Sequence, residues 1–230
     1  MRAKKRLGQH FLTNRQILDR IVDALDPAPG DPVIELGPGR GALTERLLLR
    51  GAAVTAIEKD EDLLPQLKRT FPDLRLAYAD ALETDWAALA GVPAADLLVC
   101  GNIPYNITSP LLDHALAPPR PRRIVFLVQK EVADRLAAPP GGKTYGALTV
   151  GVQAAAEVER LFLVPAGAFS PPPQVDSAVI RLVPRAAPMV PDGEVSAFRS
   201  LVMALFGMRG KQLQRGLRAA PGTGAVDGGT

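Results

Sequence analysis

Short apolar runs that are typical of buried strands alternate with helical segments through the middle of the chain. The runs are VIELG (33–37), AVTAIE (53–58), LRLAYAD (74–80), DLLVCGN (96–102) and RIVFLVQ (123–129). Segments of helical character, such as ALTERLLLRG, lie between them. Parallel strands covered on both faces have continuous apolar sequences, and strands that alternate with helices build such sheets. The alternation therefore predicts a doubly wound α/β domain.

Two further regions extend this block. Residues 13–16 have the spacing of a capping box that starts at Thr13, and the apolar residues that follow predict a helix ending at Asp26. After the block, residues 145–162 predict a helix that runs into a strand. A proline-rich loop then leads to residues 176–184, which alternate as a strand and are expected to pair antiparallel at a sheet edge.

The composition changes near Arg185, where a proline-containing linker begins. We predict a catalytic domain over 1–185 and a short helical region over 186–230. The second region would hold two helical segments, 197–207 and 211–220, and a glycine-rich disordered end.

Several classes of protein are disfavoured by composition. No apolar stretch approaches the roughly 20 residues that cross a membrane, and the basic N-terminus lacks the apolar core of a secretory signal. A cytoplasmic protein is therefore expected. The single cysteine, Cys100, allows no internal disulfide and is interpreted as a buried strand residue. Together with only two histidines it argues against a metal site.

Positive charge is concentrated at the two ends of the chain, although the formal net charge is only +3. Four basic residues lie within residues 1–6, and five lie between Glu194 and Asp227 without an acid among them. Basic ends of this kind suit a polyanion such as RNA, because phosphate contacts supply most non-specific affinity. Solvated faces that maintain solubility explain the same charges equally well.

A glycine turn follows the first strand of the block, in the sequence ELGPGRG (35–41). Gly37 and Gly39 let the backbone approach a ligand closely, ahead of a helix that begins near Ala42. A glycine turn between a strand and a helix is also common where nothing binds. The turn alone is therefore a weak indication of a site.

Polar residues end the next strands: Glu58, Asp80 and Asn102. The carboxyl ends of parallel strands meet in one crevice, and Glu58 lies 21 residues after Gly37, the separation typical of a ribose-binding acid. A nicotinamide cofactor would need a pyrophosphate turn and a substrate domain with a proton donor, which we do not find. S-adenosylmethionine, which has no phosphate, fits Glu58 and Asp80 better.

Seven ordered motifs resemble the ribosomal RNA adenine dimethyltransferases, the family of KsgA and Dim1, with the Erm resistance enzymes as relatives. The motifs are GQHFL, ELGPGRG, the acid at 58, DAL (80–82), NIPYN (102–106), VFLVQKEVADRL and FSPPPQVDSAV. The resemblance covers about residues 5–185. It implies a class I methyltransferase fold, S-adenosylmethionine as methyl donor, and His10 and Leu12 closing over that cofactor.

The NIPY segment has the residue types that methyl transfer to an adenine amine requires. The Asn102 carboxamide and a backbone carbonyl, of Ile103 or Pro104, could accept the amine hydrogens and direct its lone pair toward the methyl group. Pro104 would fix the turn, and the Tyr105 ring would stack on the extruded base. Phe169, beside three prolines, is a second candidate for stacking.

The expected function is dimethylation of two adjacent adenosines near the 3′ end of small-subunit ribosomal RNA, by a monomer acting on an assembling particle. Two alternatives stay open: an Erm-type enzyme of large-subunit RNA, and a non-catalytic assembly or RNA-binding factor. Relatives usually carry a longer, more basic helical C-terminal domain, whereas about 45 residues follow Arg185 here. This departure affects the prediction of RNA docking more than that of the transfer site.

Overall fold

A seven-stranded sheet with helices on both faces forms the centre of the protein, as described over residues 9–207 by a computed structural model. The strand order is β4-β3-β2-β5-β6-β9-β7, in which β2 to β6 are parallel and β9 is antiparallel to both of its neighbours. A separate pair, β1 and β8, is antiparallel. The predicted doubly wound α/β fold is confirmed.

The strands and helices have the following bounds. The strands are β1 Phe11–Leu12, β2 Pro32–Leu36, β3 Ala53–Glu58, β4 Arg75–Tyr78, β5 Leu98–Asn102, β6 Arg123–Gln129, β7 Ala156–Val164, β8 Phe169–Ser170 and β9 Ser177–Pro184. The helices are α1 Arg15–Leu25, α2 Ala42–Leu49, α3 Leu64–Thr70, α4 Trp86–Ala90, α5 Thr108–Ala115, α6 Lys130–Leu136, α7 Ala147–Ala155 and α8 Val195–Gly207.

The apolar strands divide the core into two layers. Consecutive residues of β2, such as Val33 and Ile34, point to opposite faces of the sheet and join different clusters. One cluster includes α1 and α2, and the other includes α5, α6 and α7. Phe126 of β6 is fully buried, as is Cys100 of β5, which confirms the interpretation of that cysteine. The continuous apolar runs therefore reflect burial on both faces of the sheet.

Two local predictions were wrong in detail. Helix α1 is capped by Asn14, whose side chain accepts the Ile17 amide, and Thr13 instead bonds to Ala168. Strand β9 is antiparallel as predicted, but it lies second from the edge, because β7 covers its outer side. Its near-continuous burial follows from this interior position.

The first helical segment predicted after Arg185 is present as α8, which packs against α7 and buries Val202. The preceding linker is also attached to the domain, since the Met189 amide donates to the Ala154 carbonyl. Segment 211–220, the glycine-rich end and most of the basic residues at the two ends lie outside the described residues. Arg199, in α8, is described and pairs with Asp113 at 2.8 Å. The domain boundary at 185 stays a prediction.

Candidate functional site

A cavity of about 510 Å³ lies at the carboxyl ends of the parallel strands. Its volume falls within the range of about 300 to 1,000 Å³ that is usual for small-molecule sites. Nine of the ten residues predicted from sequence line it: His10, Leu12, Gly37, Gly39, Glu58, Asp80, Asn102, Pro104 and Tyr105. The tenth, Phe169, does not.

The glycine turn after β2 forms one wall of the cavity. Gly37 and Gly39 have φ angles of +65° and +59°, in the left-handed region that favours glycine. A Cβ on Gly39 would lie 2.9 Å from Cδ1 of the Phe11 ring. Glycine is therefore required at position 39 both by the backbone conformation and by the close approach of Phe11.

Glu58, the last residue of β3, has its carboxyl group anchored by the backbone. Its Oε2 accepts the Gly39 amide at 3.1 Å, and its Oε1 accepts the Asp60 amide at 2.8 Å. The side chain is buried, and this desolvation raises the pKa of Glu58 although backbone hydrogen bonds from Asp60, Gly39 and Lys59 lower it. A carboxylate has about four acceptor sites, so the group can still accept a hydrogen bond from a ligand.

Glu35 is a second buried carboxyl group in the cavity wall, and the sequence analysis gave it no role. The Thr44 hydroxyl donates to Glu35 Oε2 at 2.6 Å. Burial raises the pKa of Glu35 to about 7, and the nearby charge of Glu58 contributes in the same direction. The signal in the sequence was an acid inside an otherwise apolar strand, VIELG.

Asp80 lies two residues after β4 and is paired with Lys59, a residue that the sequence analysis did not consider. The Lys59 ammonium donates to Asp80 Oδ2, and the Leu82 amide donates to Oδ1 at 3.0 Å. The Lys59 bond is the main cause of a lowered pKa of Asp80. Asp80 is therefore an oriented carboxylate at neutral pH.

Residues 9–13, here called the N-terminal strap, lie across the cavity and contact Asn102. The Asn102 Nδ2 group donates to the His10 carbonyl at 2.6 Å. The strap is held by pairing of β1 with β8, by Gln9 Nε2 donating to Asp60 Oδ2 at 2.7 Å, and by Thr13 bonds to Ala168. The His10 ring nitrogen Nδ1 also donates to the Pro171 carbonyl at 2.9 Å.

Tyr105 begins a 3₁₀ turn, Tyr105–Ile107, directly after Pro104. Its partly exposed ring lines the cavity, and its hydroxyl is 2.7 Å from the Ser177 hydroxyl. The His10 ring lies nearby, with a centroid distance of 6.0 Å and an interplanar angle of 24°. Desolvation raises the pKa of Tyr105, so the phenol is neutral at physiological pH.

Phe169 is located in the core rather than at the cavity. Only 5% of it is exposed, and it shares an apolar cluster with Leu12, its strand partner in β1. The ring offers no free face to a base in this conformation, because the strap packs with it. The predicted stacking role would require Phe169 to leave the core.

Residues 9–207 contain neither a candidate membrane-spanning helix nor a candidate metal-binding cluster. No helix there is both long enough and apolar enough to cross a membrane. No three histidine, cysteine, aspartate or glutamate side chains are grouped as a metal ion would need.

Comparison with known proteins gives a consistent family. The family model described as "Ribosomal RNA adenine dimethylase" matches residues 1–227. "Ribosomal RNA small subunit methyltransferase A" of Xanthomonas campestris pv. campestris is 49% identical over 220 residues, which are 94% of this chain and 83% of the relative. The protein of the same name from Xanthomonas oryzae pv. oryzae is 48% identical with the same coverage.

Two solved structures are also similar. A dimethyladenosine transferase from Plasmodium falciparum superposes with a TM-score of 0.79 at 29% identity, covering 91% of this chain and 75% of that one. The 23S rRNA methyltransferase ErmE superposes with a TM-score of 0.74 at 32% identity, covering 92% and 85%. Both share the arrangement of strands and helices described above.

Proposed function

This chain belongs to the ribosomal RNA adenine dimethylase family, and on that premise we propose that it dimethylates two adjacent adenosines near the 3′ end of small-subunit ribosomal RNA, with S-adenosylmethionine as methyl donor. The observation that carries the proposal is the NIPY segment, which lines the same cavity as Glu58 and Asp80. The Xanthomonas relatives, at up to 49% identity, support the small subunit as substrate.

The cavity suits S-adenosylmethionine in its volume and in its polar groups. Glu58 is held by backbone amides, and its remaining acceptor capacity could take the hydroxyls of a ribose. Asp80, fixed by Lys59 and Leu82, can accept the adenine amine of the cofactor. His10 and Leu12 would cover it from the strap. When bound, the cofactor supplies an electrophilic methyl group on a sulfonium.

Asn102 is oriented to act as an acceptor. Its Nδ2 donates to the His10 carbonyl, which leaves Oδ1 to accept one hydrogen of the target amine. The Pro104 carbonyl already accepts the Ile107 amide at 3.1 Å and the Thr108 hydroxyl at 3.4 Å. The Ile103 carbonyl is therefore the better second acceptor.

These two acceptors would direct the nitrogen lone pair and stabilise the positive charge that develops on it, and no prior deprotonation is needed. The cofactor would give up the methyl group to the target N6 and would keep the electron pair of the carbon–sulfur bond as a neutral thioether. The methylated amine then loses one proton to water. Tyr105 would hold the extruded base by stacking, a contact worth about 1 to 3 kcal/mol per base.

The decisive experiment measures transfer of labelled methyl groups from S-adenosylmethionine to unmethylated small subunits. Naked large-subunit RNA is tested in parallel, and the products are mapped by nuclease digestion and mass spectrometry. We expect dimethyladenosine in the small-subunit RNA alone. Label in the large-subunit RNA alone would favour the Erm-type alternative, to which the similarity with ErmE gives some support. Cofactor binding without transfer to either RNA would favour a non-catalytic assembly factor.

A further inference from the structure

We propose that Ser177 is a positioning residue that fixes the Tyr105 ring in the orientation needed to stack on the target base. The inference rests on the function proposed above and adds a residue to it. The carrying observation is the 2.7 Å hydrogen bond between the Ser177 and Tyr105 hydroxyl groups, which joins residues 72 positions apart in the sequence.

Ser177 is a rigid anchor. It is the first residue of β9 and has strand neighbours on both sides, Gln129 of β6 and Val164 of β7. It is fully buried. One side-chain torsion sets the position of its hydroxyl oxygen. A buried hydroxyl without a hydrogen-bond partner costs free energy, which favours the bond to Tyr105. The anchor is therefore fixed by the sheet itself.

Tyr105, in contrast, lies in a short turn and is partly exposed. Without the bond at its hydroxyl, the ring could rotate about its side-chain torsions while the backbone of the turn stayed in place. Ordering a side chain on binding costs free energy, so a ring held in advance binds a base more tightly. The hydrogen bond to Ser177 would supply that preorganisation.

The test compares Ser177→Ala, Tyr105→Phe and the double variant in steady-state methyl transfer to unmethylated small subunits. A net hydrogen bond of ordinary strength corresponds to about a three- to tenfold change in an equilibrium constant. We expect each single variant to lower kcat/KM for the RNA by about that factor, mainly through KM. Cofactor affinity, measured by calorimetry, should stay unchanged. The double variant should be no worse than Tyr105→Phe.

Thr149→Val is the matched control, because it removes a buried hydroxyl that bonds to the Arg135 carbonyl away from the cavity. It should lower thermal stability and leave kcat/KM for the folded enzyme unchanged. Losses that multiply in the double variant would overturn the proposal, since Ser177 would then act independently of the Tyr105 hydroxyl. Unchanged kcat/KM for Ser177→Ala would do the same.

Failure of the underlying function would be visible separately. A wild-type protein that methylates neither RNA would overturn the proposed function and this inference with it. Wild-type activity combined with a fully active Ser177→Ala variant would overturn the inference alone.

Discussion

The parallel part of the sheet lines the cavity, whereas the antiparallel part supports it only from behind. In the parallel part, the cavity residues stand at or just after the last residue of a strand, as Glu58 and Asn102 do. Strand β9 runs in the other direction, so its first residue, Ser177, reaches the same edge and pairs with Gln129, the last residue of β6. Most of the rest of β9 is buried, with Val183 as an exposed position.

This difference shows that the strand direction decides which end of a strand lies at the cavity edge of the sheet. A polar residue at the end of a parallel strand can line the cavity, and one at the start of an antiparallel strand can hold a residue that does, as Ser177 holds Tyr105. We therefore expect substitutions at the cavity edge to change methyl transfer or cofactor binding. Substitutions farther along β9 should change the free energy of unfolding.

The largest effect expected at the cavity edge is that of Asn102→Ala. Removing one preorganised hydrogen-bonding group from a reacting centre typically costs about 100- to 1,000-fold in rate. We expect a loss of that size in kcat for methyl transfer to small subunits, with little change in thermal unfolding. Gln66→Ala is the control, since it removes a carboxamide from α3, outside the cavity lining. Full activity of Asn102→Ala would contradict the assigned role.

The interior of β9 should give the opposite result. Ile180 is fully buried between β6 and β7, and Ile180→Ala should lower the free energy of unfolding by about 2 to 5 kcal/mol because it leaves a cavity. The activity of the folded fraction should be unchanged. Val183→Ala, at a more exposed position of the same strand, should cost less than about 1 kcal/mol. An activity loss in Ile180→Ala at temperatures well below its unfolding transition would contradict the prediction that the interior of β9 affects only stability.

A third test concerns pH and the buried carboxyl group of Glu35. Burial raises its pKa to about 7 from an ordinary value of 4.5, so the folded protein favours the protonated form. The stability that this group contributes is present below pH 4.5 and is lost as pH rises to about 7. The full loss is about 3 kcal/mol, at 1.36 kcal/mol for each pH unit.

Glu35→Gln keeps an oxygen that can accept the Thr44 hydroxyl but cannot ionise. The wild type should therefore lose stability relative to Glu35→Gln as pH rises from 5 to 8, as measured by denaturant unfolding. The pKa of Glu58 is also raised, but Glu58 is present in both proteins and largely cancels in the difference. Parallel stability curves over this range would show that Glu35 ionises normally in the folded state.

The sequence allowed the fold and most of the cavity to be predicted, because both depend on local patterns. Apolar runs identified the parallel strands, and the residues that end those strands identified Glu58 and Asn102. The contacts that complete the site join distant parts of the chain. The pairing of Leu12 with Phe169 and of Tyr105 with Ser177 depends on tertiary packing, which leaves no periodic signal. For the same reason, the sequence did not reveal that Phe169, a candidate for stacking on the base, packs in the core.

The smallest effect expected at the cavity edge is that of Lys59→Met. Lys59 follows β3 and pairs with Asp80, whose second oxygen is held by the Leu82 amide. Exposed ion pairs contribute little to stability, so unfolding should be unaffected. The carboxylate of Asp80 would nevertheless lose one of its two orienting contacts, and S-adenosylmethionine binding measured by calorimetry should weaken by roughly two- to fivefold.

Lys130→Met breaks a comparable ion pair with Asp134 in α6, away from the cavity lining, and should leave binding unchanged. Equal S-adenosylmethionine affinities in the two variants would mean that the Leu82 amide alone orients Asp80. Cofactor binding at this edge would then not depend on the Lys59–Asp80 ion pair.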